Sequence, residues 1–167
     1  MHLASGLLEC EYMANSKDIP RSPCVFANVL DILGDRWTLL VIRDLLFFGK
    51  HEYKEFLSSP ESIATNILSD RLKRLTAVGI IAEISHPTNK SRKLYYLTQK
   101  GKDLLPILGE IAMWGEKHLP CREEMKPLFE RVKTLGPKEF KKRVLAAHEA
   151  WEAENLPLAV GTADGAL

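Results

Sequence analysis

The chain has 167 residues, 46% of them hydrophobic and 27% charged, with a net charge of +1. That length and composition belong to one globular domain with an extension, long enough to bury a core and without the run of about eighteen apolar residues that a membrane span needs. The charge is uneven: residues 36–102 carry twelve basic and six acidic side chains, so the middle of the chain is basic between two slightly acidic flanks, and local positive charge is what binds phosphates.

Residues 1–20 show no sustained period. HLASGLLECEYM reads as a short helix or a tail, ordered only where it packs on a partner subunit. No basic stretch precedes a long apolar run, so no signal peptide is expected. The three cysteines, Cys10, Cys24 and Cys121, are too few and too scattered for a disulfide framework, and a reducing cytoplasm is the expected location. Ser22 as N-cap and Pro23 at the first helical position open the first clear helix. Phe26, Val29, Leu30 and Leu33 form its apolar stripe, and Gly34 ends it. Asp35 caps the next helix, RWTLLVIRDLLFF, which is apolar almost all round and is therefore expected to be the central buried one. Glu52 to Leu57 is a short helix with Tyr53 and Phe56 turned inward, followed by the turn SSPES.

The stretch from Ser62 to Ile81, SIATNILSDRLKRLTAVGII, organises the rest. Leu68, Leu72 and Leu75 recur at spacings of four and three and share one helical face. Asn66, Asp70, Lys73 and Ala77 lie roughly opposite, flanked by Ser69 and Arg74. Such a polar face can satisfy base edges and phosphates, although an ordinary solvated helix has the same pattern. Gly79 suits a left-handed helix end. Two β-prone runs follow, IIAEISH (80–86) and KLYYL (93–97), joined by PTNKSR. This predicts a hairpin with a basic tip of Lys90, Arg92 and Lys93. Thr98 then caps one long helix to about Leu119, bent or irregular near Gly101 and Pro106. Its stripe of Leu104, Leu105, Leu108, Ile111, Ala112 and Trp114 is wider than a small core covers, which suggests dimerisation as readily as extra burial. Pro120 and Pro127 break the chain. A last helix runs from about Pro137 to Glu154 with Phe140, Val144, Leu145, Ala147, His148 and Trp151 on its sticky face.

The fold expected is mainly α with a small β-hairpin (α+β), a winged helix-turn-helix with N- and C-terminal helical extensions. The chain divides into an arm (1–20), the winged helix-turn-helix domain with its long dimerisation helix (21–119), a dimer-associated helical extension (120–155) and a disordered tail (156–167).

Several blocks occur in a telling order: Cys24 heading a helix, LDILGDRWTLLVIRDLL (30–46) with Gly34, Arg36, Trp37, Thr38, Leu39, Leu40 and Arg43, then ILSDRLKRLTAVGII (67–81), Arg92 with Tyr95, Leu97-Thr98 and Lys100-Gly101. From Cys24 to about Leu119 the chain resembles the HxlR-type winged helix-turn-helix transcriptional regulators of bacteria. It departs from their pattern in having Val25 after the head cysteine, where proline is common, in Ala64-Thr65 at the start of the recognition helix, and in its longer ending.

The resemblance implies a homodimer that binds double-stranded DNA and regulates transcription, with no catalytic group, cofactor or membrane partner. Thr65, Asn66, Ser69 and Lys73 are the candidates for base contacts, and Asn66 can pair bidentately with adenine. Asp70 can accept from cytosine or face Lys73 or Arg74. Arg92 is the candidate for the minor groove, and Lys90, Lys93 and Arg71 for phosphates, each also readable as a solvated charge. Some members sense oxidants or electrophiles at the position matching Cys24. Near a helix N-terminus a thiol favours the reactive thiolate, whereas a small buried cysteine would be inert. A small-molecule or oxidant effector fits this reading. The rivals are a winged helix used for protein contacts and an enzyme with Cys24 as nucleophile, which would need a base that the sequence does not place. His118 and Cys121 could touch a metal, but two ligands do not make a site.

Overall fold

The computed structural model describes residues 22–120 and 125–156. The arm, the tail from 157 onward, Cys10 and the Cys121 half of the His118–Cys121 pair lie outside the described residues.

The first unit ends at Asp35 and contains helix α1, Val25–Leu33. Its start differs from the sequence reading. Cys24, not Ser22, is the N-cap. Ser22 and Pro23 lie before the helix, where the Asn28 amide donates to the Ser22 carbonyl at 2.8 Å and the Ser22 N–H donates back to Asn28 Oδ1 at 3.3 Å. The Ser22 hydroxyl accepts instead from the Cys24 N–H at 3.1 Å, ahead of the first helical turn, which is why it does not cap α1. Gly34 ends the helix as expected, its N–H donating to the Leu30 carbonyl. Of the apolar stripe only Leu33 is buried; Phe26 is 80% exposed, Leu30 63% and Val29 41%.

The second unit begins at Arg36. Helix α2, Arg36–Phe48, buries Thr38, Val41, Ile42, Asp44, Leu45 and Leu46. It is the central helix, and its polar insertions Thr38 and Asp44 are inside with the aliphatic ones. Helix α3, Tyr53–Leu57, begins with a reciprocal capping box in which Glu52 and Glu55 satisfy each other's backbone N–H groups. Phe56 is buried as expected. A turn through Ser62, which has φ 56°, leads into helix α4, Thr65–Ala77. Gly79 follows at φ 69°, the left-handed position that the sequence suggested.

Strands β1 (Ile81–His86) and β2 (Asn89–Leu97) form an antiparallel hairpin. β2 starts four residues earlier than predicted, so Pro87 and Thr88 form the tip. The pairing jumps from Ser85 opposite Lys93 to His86 opposite Asn89, which loops out Lys90, Ser91 and Arg92 between these two pairs. The basic group is thus a bulge in β2 rather than the turn itself. The other edge of β2 meets the start of α3: the Tyr95 N–H donates to the His51 carbonyl at 2.8 Å.

The single long helix predicted after Thr98 is two. Thr98 caps the short α5, Gln99–Lys102, by accepting from the Gly101 N–H. Its hydroxyl also donates to the Gly79 carbonyl at 2.6 Å. A Cβ at Gly101 would lie 2.2 Å from the Ile80 carbonyl oxygen, so only glycine lets α5 press on this end of α4. Helix α6, Leu105–His118, restarts with Pro106 in its first turn, where proline opens rather than bends a helix. Leu105 and Leu108 are buried, while Ile107, Ile111, Met113 and Trp114 are exposed.

Helix α7, Lys126–Asn155, starts eleven residues before Pro137. Pro127 opens it instead of breaking the chain, and the break falls at Gly136, with φ 74° and ψ 156°. Its C-terminal half packs on its own chain. Phe140 faces Phe47 at 6.2 Å between ring centroids, and Trp151 stacks on His51 at 3.8 Å and 6°. His148 Nε2 lies 3.2 Å from the Leu46 carbonyl, and Lys102 meets Glu152 at 2.8 Å.

Burial holds both histidines of this seam below their usual pKa. The Tyr95 carbonyl and the Glu55 and Glu152 carboxylates pull His51 back up, while nearby His148 adds to the depression. The Leu46 carbonyl and Glu152 oppose burial at His148, and Lys102 reinforces it. Both are neutral in the fold at pH 7, whereas the unfolded chain takes up protons below about pH 6.5. Stability should therefore be full above that pH and fall as pH drops through the depressed values. Urea midpoints measured between pH 7.5 and 5 should show this slope, and the H51Q/H148Q variant should flatten it.

Candidate nucleic-acid interface

Three leucines decide how α4 faces. Leu68, Leu72 and Leu75 are 0%, 2% and 1% exposed, which at about 1.5–3 kcal/mol per buried side chain fixes the helix's rotation. With 3.6 residues per turn, the opposite face must then look outward. Thr65, Asn66, Ser69, Asp70, Lys73, Arg74 and Ala77 are all exposed.

These candidates are not equivalent. Asn66, Ser69, Asp70 and Lys73 share the outward face, with Thr65 at its N-terminal end. Arg71 lies on the flank beside the leucine ridge, its side chain 17% exposed and paired with Asp70 at 3.0 Å. The Tyr53 hydroxyl donates to the Thr65 carbonyl at 2.7 Å and lies 2.9 Å from Ser69 Oγ. Tyr53 is therefore not simply inward. It braces the first turns of α4 from α3 and occupies the Ser69 hydroxyl. The sequence carried no signal for this, because the partners are twelve and sixteen residues away.

The turn between α3 and α4 is tied to α2 by a charge network. Buried Asp44 accepts at Oδ1 from Arg43 Nε and Nη2, at 2.9 and 2.6 Å, and at Oδ2 from Lys50 at 3.1 Å and from the Ser59 hydroxyl. Arg43 also grips Glu61 with two N–H groups, at 2.5 and 3.0 Å. Hydrogen bonding to Arg43 holds the Glu61 carboxyl below its ordinary range, against a smaller opposing effect of burial. Burial works against the Arg43 charge, but the two carboxylates outweigh it and raise its pKa.

The wing supplies the remaining cations. Lys90 is exposed in the bulge of β2. Arg92 points toward Glu52, with 3.6 Å between Nη1 and Oε2, and Lys93 pairs with Glu83 across the hairpin. Exposed ion pairs of this kind are weak, so both cations can exchange a carboxylate for a phosphate at little cost. Cys24 is exposed at the start of α1. Among the described residues, no three His, Cys, Asp or Glu side chains gather as a metal site, and no helix is long and apolar enough to cross a membrane.

Residues 32–123 match the profile of the HxlR-like helix-turn-helix family. The chain belongs to this family of DNA-binding transcriptional regulators. Among its relatives, the uncharacterized HTH-type transcriptional regulator Rv3095 of Mycobacterium tuberculosis is 34% identical over 109 residues, 65% of this chain and 67% of that protein. The uncharacterized regulator YvaP of Bacillus subtilis is 37% identical over 103 residues, 62% of this chain and 91% of that one. The crystal structure of PA1607, described as a candidate transcription factor, superposes with a TM-score of 0.55 at 35% identity, covering 62% of this chain and 70% of that one. The oxidized form of the redox regulator HypR gives 0.53 at 27% identity, covering 59% of this chain and all of that one. All of α7 lies beyond the residues that match the HxlR-like family.

Proposed function

We propose that the protein is a homodimeric regulator that reads a pseudo-palindromic operator. The observation that carries this is the exposed amide, hydroxyl and ammonium face of α4, held out by a fully buried leucine ridge beside the cationic bulge of β2. Each protomer lays α4 in a major groove, with Asn66 and Lys73 toward base edges and Thr65, Ser69 and Asp70 around them. Lys90, Lys93 and Arg71 face the phosphates, and Arg92 reaches the minor groove once it leaves Glu52. The exposed apolar residues of α6, Ile107, Ile111, Met113 and Trp114, supply the dimer surface, and two reading helices then lie about one turn of DNA apart. Operator selection from a random library with the purified protein gives the site. Binding to it should fall steeply with salt, and N66A should weaken it by about 1–3 kcal/mol and relax one base position. Weak DNA association that salt leaves unchanged would instead favour a winged helix used for protein contacts.

The same reading assigns Cys24 a sensing role. Its thiol is exposed at the N-cap of α1 and makes no capping hydrogen bond, so reagents can reach it. The similarity to a redox regulator supports a response to oxidants or electrophiles. Iodoacetamide at neutral pH should label Cys24 faster than an unfolded peptide thiol. Labelling at the peptide rate would remove the sensing role and leave DNA reading intact.

A further inference from the structure

The break of α7 at Gly136 leaves a hollow against α6. A cavity of about 290 Å³ lies there, walled by Phe47, Met113, Phe129 and Phe140. Its existence follows from the sequence: α6 presents Gly109 and Ala112, two residues too small to fill the space that the kinked helix opposes. A Cβ at Gly109 would meet nothing within 4 Å. Three aromatic rings and an adaptable thioether suit a flat apolar body. A cavity of about 150 Å³ holds one benzene ring, so this one accommodates one or two rings.

The opening is polar and biased. Lys138 and Lys141 stand one turn apart on α7, both line the cavity, and both are exposed. Neither is engaged in an ion pair with a described residue, unlike Lys133, which Glu116 and Glu130 hold. Glu110 is the one carboxylate in the lining, so two ammonium groups face a single negative charge. An apolar interior with a few charged groups at its edge is the usual form of a small-molecule site.

We infer that this cavity binds a small aryl carboxylate, its rings among Phe47, Met113, Phe129 and Phe140 and its carboxylate between Lys138 and Lys141. The site uses α7 and so goes beyond what the family profile covers.

Calorimetric titration of the full-length protein with 2-naphthoate tests this, with 2-naphthamide as the uncharged isostere. The wild type should bind naphthoate saturably and at least about tenfold tighter than the amide, one unit of 1.4 kcal/mol. K138Q/K141Q should bring the two probes to equal affinity. G109L should abolish binding of both while far-UV circular dichroism stays helical, because leucine favours a helix over glycine and has room. Absence of saturable naphthoate binding overturns the inference, as it would if a second copy or an undescribed segment already fills the hollow. Equal binding of the two probes by the wild type, or undiminished binding by G109L, also overturns it. These readouts use no DNA, so their failure leaves the operator reading standing, and failure of DNA binding leaves this one standing.

Discussion

Replacing Asp44 with alanine should lower the unfolding free energy by about 3 kcal/mol, the low end of the 3–5 expected when one partner of a buried charge group is removed. The carboxylate is 3% exposed and receives hydrogen bonds from Arg43, Lys50 and Ser59. Without it, Lys50 and Arg43 remain largely inside the fold, their side chains 18% and 19% exposed, and the Ser59 hydroxyl loses its acceptor. Arg43 keeps Glu61, which is why the loss sits at the low end. Ser59 and Glu61 belong to the turn that sets α4 against α3, so operator affinity should drop as well at temperatures where D44A is still folded. D44N keeps the shape and one acceptor and should lose less. Urea denaturation followed by circular dichroism measures both variants. A D44A midpoint equal to that of the wild type would mean that the network does not anchor the turn.

The sequence disclosed those parts of the interface that depend on local periodicity. The leucine spacing of four and three determines which side of α4 is buried, and Gly79 marks its end because a left-handed residue there has a strong chemical signature. The Asp44 network was illegible: its members lie up to eighteen residues apart, and nothing local distinguishes a buried aspartate from a solvated one in the run RWTLLVIRDLLFF. β2 was read short for a different reason. NKSRKLYYL begins with polar residues, yet backbone pairing does not require apolar side chains, and a bulge lets three polar residues loop out without ending the ladder. The prolines carry the opposite sign from the one their sequence context suggests. Pro106 and Pro127 read as interruptions, but a proline in the first turn surrenders an N–H that has no partner there anyway, so each marks a beginning. The exposed stripe of α1 is the opposite case. Its periodicity was read correctly, but amphipathicity says only that a face needs covering, not whether its own chain or another covers it.

Trp151→Ala should remove about 3 kcal/mol, near the lower end for truncating a large aromatic side chain, because the indole is only half-buried. Trp151 is the contact that holds the C-terminal half of α7 against the hairpin side of the domain: it stacks flat on His51 and tilts against Tyr96 at 6.1 Å. Without the indole, water reaches the His51 ring. Burial is the leading cause of that ring's depressed pKa, so its titration should move back up toward that of a free histidine. The remaining ties are the Phe47–Phe140 contact, the part-buried pair of Lys102 and Glu152 and the bond between His148 and the Leu46 carbonyl. Without the indole they should hold the half-helix less firmly, so that it opens more often. Limited proteolysis of W151A should then cut within 137–155 while the region up to His118 persists, whereas a purely local defect would leave the cleavage pattern of the wild type. The proton NMR titration of His51 separates the two outcomes independently of protease access. An unchanged His51 midpoint would show that Trp151 does not seal the seam and that other neighbours keep the ring buried.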